Sequence, residues 1–182
     1  ASTLRVGANA GLIKLEDWSQ DASGERLISF GDGVHSPPRD LWIGLTNSVR
    51  VLDEASLATP NPMSADAKYS AFREFLGATE GAPAWDGVAR NFVFQRDFEP
   101  RLEAQVRSSL LSNKIDDPPV ILHGATGTGK SMALSALAYR LAAERKYPVL
   151  YVDRRADDTV QDSIDRFCSW AEEKGADLSV VF

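Results

Sequence analysis

One short segment, residues 124–131, constrains the fold of this chain more than any other. It reads Gly-Ala-Thr-Gly-Thr-Gly-Lys-Ser and fits the Walker A spacing G-x-x-x-x-G-K-[ST], in which a glycine-rich loop holds phosphate groups. Such a loop connects a β-strand to the start of an α-helix. The pattern therefore predicts a strand, a phosphate-binding loop and a helix, in that order, in the second half of the chain.

The residues on both sides of the loop fit this order. Residues 118–123 are a short apolar run with two prolines at its start, as is typical of a buried parallel strand. After the loop, apolar residues recur at helical spacing and predict a helix with one apolar face: Leu134, Leu137, Ala138 and Leu141. We therefore expect an α/β fold over residues 91–182, with the parallel sheet of a P-loop NTPase and helices on both of its faces.

Each residue type in the loop has a physical task. The glycines let the backbone adopt conformations that other residues avoid, and they turn backbone amides toward phosphate oxygens. Lys130 is expected to reach the β- and γ-phosphates of a nucleotide, and the hydroxyl of Ser131 to join the shell of a Mg²⁺ ion. The predicted nucleotide-binding residues are Gly124, Ala125, Thr126, Gly127, Thr128, Gly129, Lys130, Ser131 and Met132, with Ser131 also as the metal ligand.

The composition narrows the class of protein. Hydrophobic residues make up 43% and charged residues 25% of the 182 residues, which is typical of a globular chain. A net charge of -6 does not indicate nucleic-acid binding, because neutralising phosphates requires a basic surface. The single cysteine, Cys168, cannot form an internal disulfide and favours a reducing cytoplasm. No apolar run approaches the ~20 residues of a membrane span, so a membrane partner is not expected.

The chain divides into three parts by composition. Residues 1–57 are predicted to be β-rich, residues 58–90 have the composition of a linker that contains one short helix, and residues 91–182 alternate strands and helices. The last part is expected to be the N-terminal portion of an NTPase domain that continues beyond Phe182.

Shorter patterns predict individual elements. Alternating apolar residues predict one long strand over residues 41–51. Ser64 as a cap and Gly77 as a stop delimit the helix in the linker. Further strands are predicted at 3–6, 12–15, 26–30, 92–94, 147–152 and 178–182, and further helices at 100–111 and 162–174, with the polar residues 153–155 at the end of a strand.

Residues 92–99 add a second motif upstream of the loop. They read Phe-Val-Phe-Gln-Arg-Asp-Phe-Glu, and Leu102 follows. This segment resembles F-V-G-R-x-x-E-x-x-L, which opens the nucleotide-binding domain of STAND and related AAA-type ATPases. The resemblance covers residues 91–182, about half of the chain.

In that family the upstream segment lies beside the adenine and ribose of the nucleotide. The resemblance therefore implies that Arg96 contacts the nucleotide and that Asp97 and Glu99 correspond to the acidic positions of the family motif. Gln95 stands where the family has a glycine, so the local backbone shape is expected to differ there.

STAND proteins are signalling switches with an N-terminal effector, a central NTPase and a C-terminal sensor, and many bacterial members act in antiviral defence. The resemblance implies ATP and Mg²⁺ as cofactors, homo-oligomerisation on activation, a protein trigger, and an effector or adaptor origin for residues 1–57. The Walker B acidic residues, which hold Mg²⁺ and orient water, are expected after Phe182. Catalytic residues therefore stay unassigned, and ATP hydrolysis is expected of the complete protein.

Other classes of protein are alternatives to a switch. A motor-type AAA ATPase that remodels protein or nucleic acid is the main one, because only downstream sequence separates it from a switch. A nucleotide kinase or other small P-loop transferase is a third candidate, disfavoured because no compact acceptor-binding lid is recognisable in the sequence. A non-enzymatic scaffold with a degenerate loop is disfavoured by the intact Lys130 and Ser131.

Overall fold

The structure, a computed structural model, describes residues 26–45, 48–77, 85–112, 118–152 and 158–182. The α/β class is confirmed. The strands are β1 (Ile28–Phe30), β2 (Gly33–His35), β3 (Val49–Val51), β4 (Val149–Val152) and β5 (Val180–Val181). The helices are α1 (Arg39–Leu45), α2 (Ala65–Gly77), α3 (Trp85–Ala89), α4 (Glu99–Ser112), α5 (Lys130–Ala143) and α6 (Asp158–Glu173). The strands predicted at 3–6 and 12–15, and the polar residues 153–155, lie outside the described residues.

A three-stranded sheet brings together one strand from the first third of the chain and two strands from its last third. The strand order is β3-β4-β5, with β3 antiparallel and β5 parallel to β4. The sheet is therefore mixed, and the parallel sheet predicted for a P-loop domain is not confirmed. β1 and β2 form a separate antiparallel hairpin.

Helices pack on both faces of this sheet. Successive side chains of a strand point to opposite faces, and β4 is buried on both. Val149 and Tyr151 belong to a hydrophobic cluster with Leu141 of α5, whereas Leu150 belongs to a second cluster with Phe167 of α6. α5 and α6 thus cover opposite faces of the sheet at β4.

The long strand predicted over residues 41–51 is wrong. Residues 39–45 form α1 instead, and only Val49–Val51 is a strand. Leu41 and Leu45 are buried in both interpretations because they are four residues apart, but Ile43, which alternation would bury, is 64% exposed. At Gly44 a Cβ would lie 2.7 Å from Oγ of Ser163, so α1 packs closely on α6 at this point.

The strand predicted immediately before the loop is also not formed. Residues 118–123 are in no strand, and Ile121 is 76% exposed. Prolines have no amide hydrogen to donate to a strand ladder, and none of the described strands pairs with this segment. Residues 92–94 likewise form no strand. Strand patterns without a partner strand therefore stay irregular here.

The helices with clear caps or periodicity lie close to their predicted positions. Before α2, Oγ of Ser64 accepts a hydrogen bond from the amide of Ala67 at 3.3 Å. After α6, Gly175 has a φ of 92°, a conformation that favours glycine and ends the helix. None of the helices in the described ranges combines the length and apolar content needed to span a bilayer.

The close packing of α2 on α3 can be tested by adding a side chain at Gly87. A Cβ at Gly87 would overlap the buried ring of Phe75. We expect Gly87→Ala to destabilise the protein by about 1–3 kcal/mol, as overpacking usually does, measured by urea unfolding. Gly77→Ala is the matched control, because nothing lies within 4 Å of its Cβ position, and it should leave stability equal or slightly higher. Equal midpoints for the two variants would contradict this packing.

The ion pair between Glu54, in the turn after β3, and Arg145, just after α5, predicts that the stability of the fold depends on pH. Nε and NH2 of Arg145 donate to the two carboxylate oxygens of Glu54 at 3.0 and 2.8 Å. The hydrogen bond from Arg145 is the largest effect on the pKa of Glu54 and, with the Arg145 charge, holds it below its ordinary value of 4.5.

Because folding lowers this pKa, the pair stabilises the fold above the pKa of the unfolded chain and loses that effect as the pH falls. We expect Glu54→Gln to lower the melting temperature at pH 7 and to match the wild type in strong acid. A difference of the same size at both pH values would show that ionisation of Glu54 is not involved.

Candidate phosphate-binding site

The glycine-rich loop has the backbone geometry that its sequence predicts. Gly124, Gly127 and Gly129 have φ angles of 154°, 81° and 84°, which side-chain residues rarely adopt. Gly129 is the N-cap of α5, and no described side chain caps this helix end. The first amides of a helix lack partners within it and carry a partial positive charge. The start of α5 is therefore suited to bind an anion.

Lys130 places its charge directly on this loop. Its Nζ donates hydrogen bonds to the carbonyl oxygens of Gly124 at 3.0 Å and Ala125 at 2.7 Å. Oγ1 of Thr128 donates to the same Ala125 oxygen at 2.9 Å. The loop thus closes around its own lysine, so the ammonium group stays beside the glycines.

Arg96 also lies beside the loop, although it precedes α4. A Cβ built on Gly129 would lie 3.0 Å from Nε and 3.4 Å from NH2 of Arg96. The guanidinium group therefore adjoins the N-cap of α5, where a larger residue would have to displace it slightly. The structure brings together Arg96 and the loop.

A capping interaction holds the backbone of Arg96. Its amide donates to the carboxylate of Glu99 at 2.9 Å, and the amide of Glu99 donates to the Arg96 carbonyl at 3.0 Å. The first bond corresponds to the glutamate half of a capping box, and the second closes a backbone turn before α4. Glu99 is only 3% exposed, so the cap is shielded from water.

The remaining predicted residues differ in their surroundings. Thr126 and Ser131 are exposed, and Ser131 stands in the first turn of α5. Met132 is half-buried and packs against the hydrophobic cluster that contains α5, so its side chain serves the core. Asp97 is exposed in the turn before α4.

A cavity of about 440 Å³ extends from the Arg96 segment along α4 and α5. Ala136, on its α5 side, comes six residues after Lys130, which places it about 9 Å farther along the helix axis. The cavity is lined by Val88, Ala89, Asn91, Val93, Gln95, Glu99, Glu103, Ala136, Tyr139 and Arg140. Its lining includes Gln95, the neighbour of Arg96 in the chain, but no residue of the glycine-rich loop.

Arg140, in the cavity wall, forms ion pairs through one nitrogen and has a second nitrogen without a described hydrogen-bond partner. NH2 of Arg140 lies 3.0 Å from a carboxylate oxygen of Glu103 and 3.9 Å from one of Glu99. Nε of Arg140 is buried and has no hydrogen-bond partner among the described residues. Burial raises the pKa of the Tyr139 phenol, which stays protonated at neutral pH and can donate.

Burial raises the pKa of Glu103, but hydrogen bonds and charges of Arg107 and Arg140 outweigh it, so the net pKa is lowered. Glu103 is thus ionised at neutral pH. Sequence reasoning missed Tyr139 and Arg140. One sequence feature could have indicated Arg140: it is a charged residue within the apolar part of α5. Its partners Glu99 and Glu103 lie on α4.

The described part of the chain offers few ligands for a metal ion at this site. Within the described ranges, no group of three or more His, Cys, Asp or Glu residues is placed to hold a metal. Ser131 offers one exposed hydroxyl at the helix start. Mg²⁺ is commonly bound by few protein groups together with substrate phosphates and water, and a single hydroxyl beside a phosphate loop fits that donor set.

Comparison with known proteins identifies one family. No curated protein and no solved structure matches this chain significantly. A family profile described as novel STAND NTPase 5 matches residues 74–181, which is more than half of the 182 residues and includes Arg96, the loop and the cavity. The resemblance suggested by the two motifs is thus confirmed: the chain belongs to the novel STAND NTPase 5 family.

Proposed function

We propose that this chain contains the ATP-binding part of a regulatory switch, and that it binds ATP together with Mg²⁺. The observation that carries the proposal is the arrangement around Gly129, where an uncapped helix start, Lys130 and Arg96 converge. Two cations and several free amides at one helix end form a receptor for a polyphosphate. Membership of a STAND NTPase family supports a nucleotide as the source of that polyphosphate.

In this proposal the backbone amides and the side chains of the loop contact different phosphate oxygens. The amides of residues 127–131 bind phosphate oxygens, while Lys130 turns from the carbonyl oxygens of Gly124 and Ala125 toward the outer phosphates. Arg96 lies beside Gly129 and is proposed to contact the same phosphates. Ser131 would hold a Mg²⁺ ion together with phosphate oxygens, and the ion would supply charge neutralisation for the phosphates.

The cavity beside Arg96 holds the ribose and base in this proposal. Val93, Ala136 and Tyr139 offer apolar surface, while the Gln95 amide and the Tyr139 phenol offer hydrogen bonds. Adenine is the proposed base. GTP is the competitor to test, because residues 113–116, outside the described ranges, read Asn-Lys-Ile-Asp, the spacing of a guanine-binding motif.

The match to a STAND family favours a signalling switch over a remodelling motor. In this proposal ATP binding orders the loop and shifts the chain toward a homo-oligomer, in response to a protein trigger in the cytoplasm. Residues 1–57 would then connect the nucleotide site to an effector, and an antiviral role remains part of the proposal.

Replacing Lys130 tests the phosphate assignment. We expect Lys130→Ala to weaken ATP binding about 10-fold or more, because a hydrogen bond from a charged group contributes about 1.5–3 kcal/mol, as measured by isothermal titration calorimetry with Mg²⁺. The matched control is Lys174→Ala, which removes an exposed lysine after α6 and should bind ATP like the wild type. Equal affinity of Lys130→Ala and wild type would refute the proposed function.

Replacing Arg96 tests whether the upstream motif joins the site. We expect Arg96→Ala to lower ATP affinity by about 10-fold through loss of one charged contact, with unchanged thermal stability of the free protein. Arg101→Ala is the control, since Arg101 is equally charged and exposed in the first turns of α4. If both arginine variants bind ATP equally well, Arg96 does not contact the nucleotide.

A further inference from the structure

The hydroxyl groups of the buried residues Ser135 and Tyr151 lie close to the backbone carbonyl of Ser131, on the interior side of α5. Oγ of Ser135 donates to the carbonyl oxygen of Ser131 at 2.8 Å and lies 3.2 Å from the phenol oxygen of Tyr151. That phenol oxygen is 3.5 Å from the same carbonyl. Ser135 is completely buried and Tyr151 is 7% exposed. A network of side chains from α5 and β4 thus ends on the residue proposed to bind Mg²⁺.

Elements besides α5 also fix the position of Tyr151. Tyr151 lies in β4, whose backbone pairs with β3 on one side and β5 on the other. The ring of Trp85 in α3 packs edge-on against the Tyr151 ring, with 5.3 Å between centroids. The phenol is therefore held by the sheet and by α3, and it transmits that position to the first turn of α5.

Core packing alone does not account for these hydroxyls. A phenylalanine fills nearly the same volume as a tyrosine, and burying a hydroxyl costs free energy unless it is hydrogen-bonded. Ser135 could bond to Ser131 alone, as serines in helices often do with the carbonyl four residues before. The added hydroxyl of Tyr151 extends this bond into a link between the sheet and the Ser131 backbone.

We propose that Tyr151, acting with Ser135, is a positioning residue that orients Ser131 for the Mg²⁺ ion bound with the nucleotide. This inference rests on the proposed function of the loop. The first turn of α5 has no described side-chain cap. In this proposal the contacts of Ser135 and Tyr151 with the Ser131 carbonyl take its place and hold the orientation of the first amides and of the Ser131 hydroxyl. Groups that orient a metal ligand typically change metal affinity about 10- to 100-fold when removed.

The test separates orientation of the metal ligand from general stability. ATP affinity is measured with Mg²⁺ and with EDTA for the wild type, Tyr151→Phe and the control Tyr147→Phe, which removes a phenol of a buried tyrosine next to β4. We expect Mg²⁺ to strengthen ATP binding about 10-fold less in Tyr151→Phe than in wild type. Affinity in EDTA should be unchanged, and Tyr147→Phe should behave as wild type. Ser135→Ala, a second variant, should show the same selective loss.

Three results would overturn the inference. If Mg²⁺ strengthens ATP binding equally in Tyr151→Phe and wild type, the hydroxyl does not orient Ser131. If affinity falls equally in Mg²⁺ and EDTA together with the melting temperature, the role of Tyr151 is structural. If the wild type itself does not bind ATP, the proposed function fails, and this assignment fails with it.

Discussion

Burial of β4 on both faces is the constraint on which the rest of the structure depends. The strand is hydrogen-bonded to β3 and β5, and its alternate side chains enter two different hydrophobic clusters. One cluster carries α5, and therefore the phosphate loop, while the other carries α1 and α6. Tyr151 stands on the α5 side of this strand and reaches the first turn of the helix. The same strand thus supports the core and the site.

A second set of contacts fixes α4 against α5 and so places Arg96. Arg107 of α4 pairs with Glu103 on its own helix and with Glu144 after α5, and Arg140 of α5 pairs with Glu103. Exposed ion pairs of this kind contribute little to stability individually. They show that the middle of α4 lies beside the C-terminal half of α5. At the start of α4, the hydrogen bond between the Arg96 amide and the buried Glu99 carboxylate holds the backbone from which Arg96 reaches Gly129.

Sequence patterns predicted the helices and the loop more successfully than the strands. Helical periodicity and caps depend on residues within one or two turns, so α2, α4, α5 and α6 were recognisable. Alternation was misleading at residues 41–51, because Leu41 and Leu45 satisfy both a strand and a helix spacing. Residues 118–123 have the composition of a strand but no partner among the described strands. Strand formation requires a second segment, which local composition does not specify.

The sequence alone predicted phosphate binding by residues 124–131, because three glycines, a lysine and the start of a helix within eight consecutive residues are typical of a phosphate-binding loop. It also suggested Arg96 through a family motif. Only the tertiary structure decided that Arg96 lies against Gly129, that Tyr139 and Arg140 border a cavity, and that Tyr151 supports Ser131. These contacts join residues distant in the chain, and their distances follow from how α4, α5 and β4 pack together.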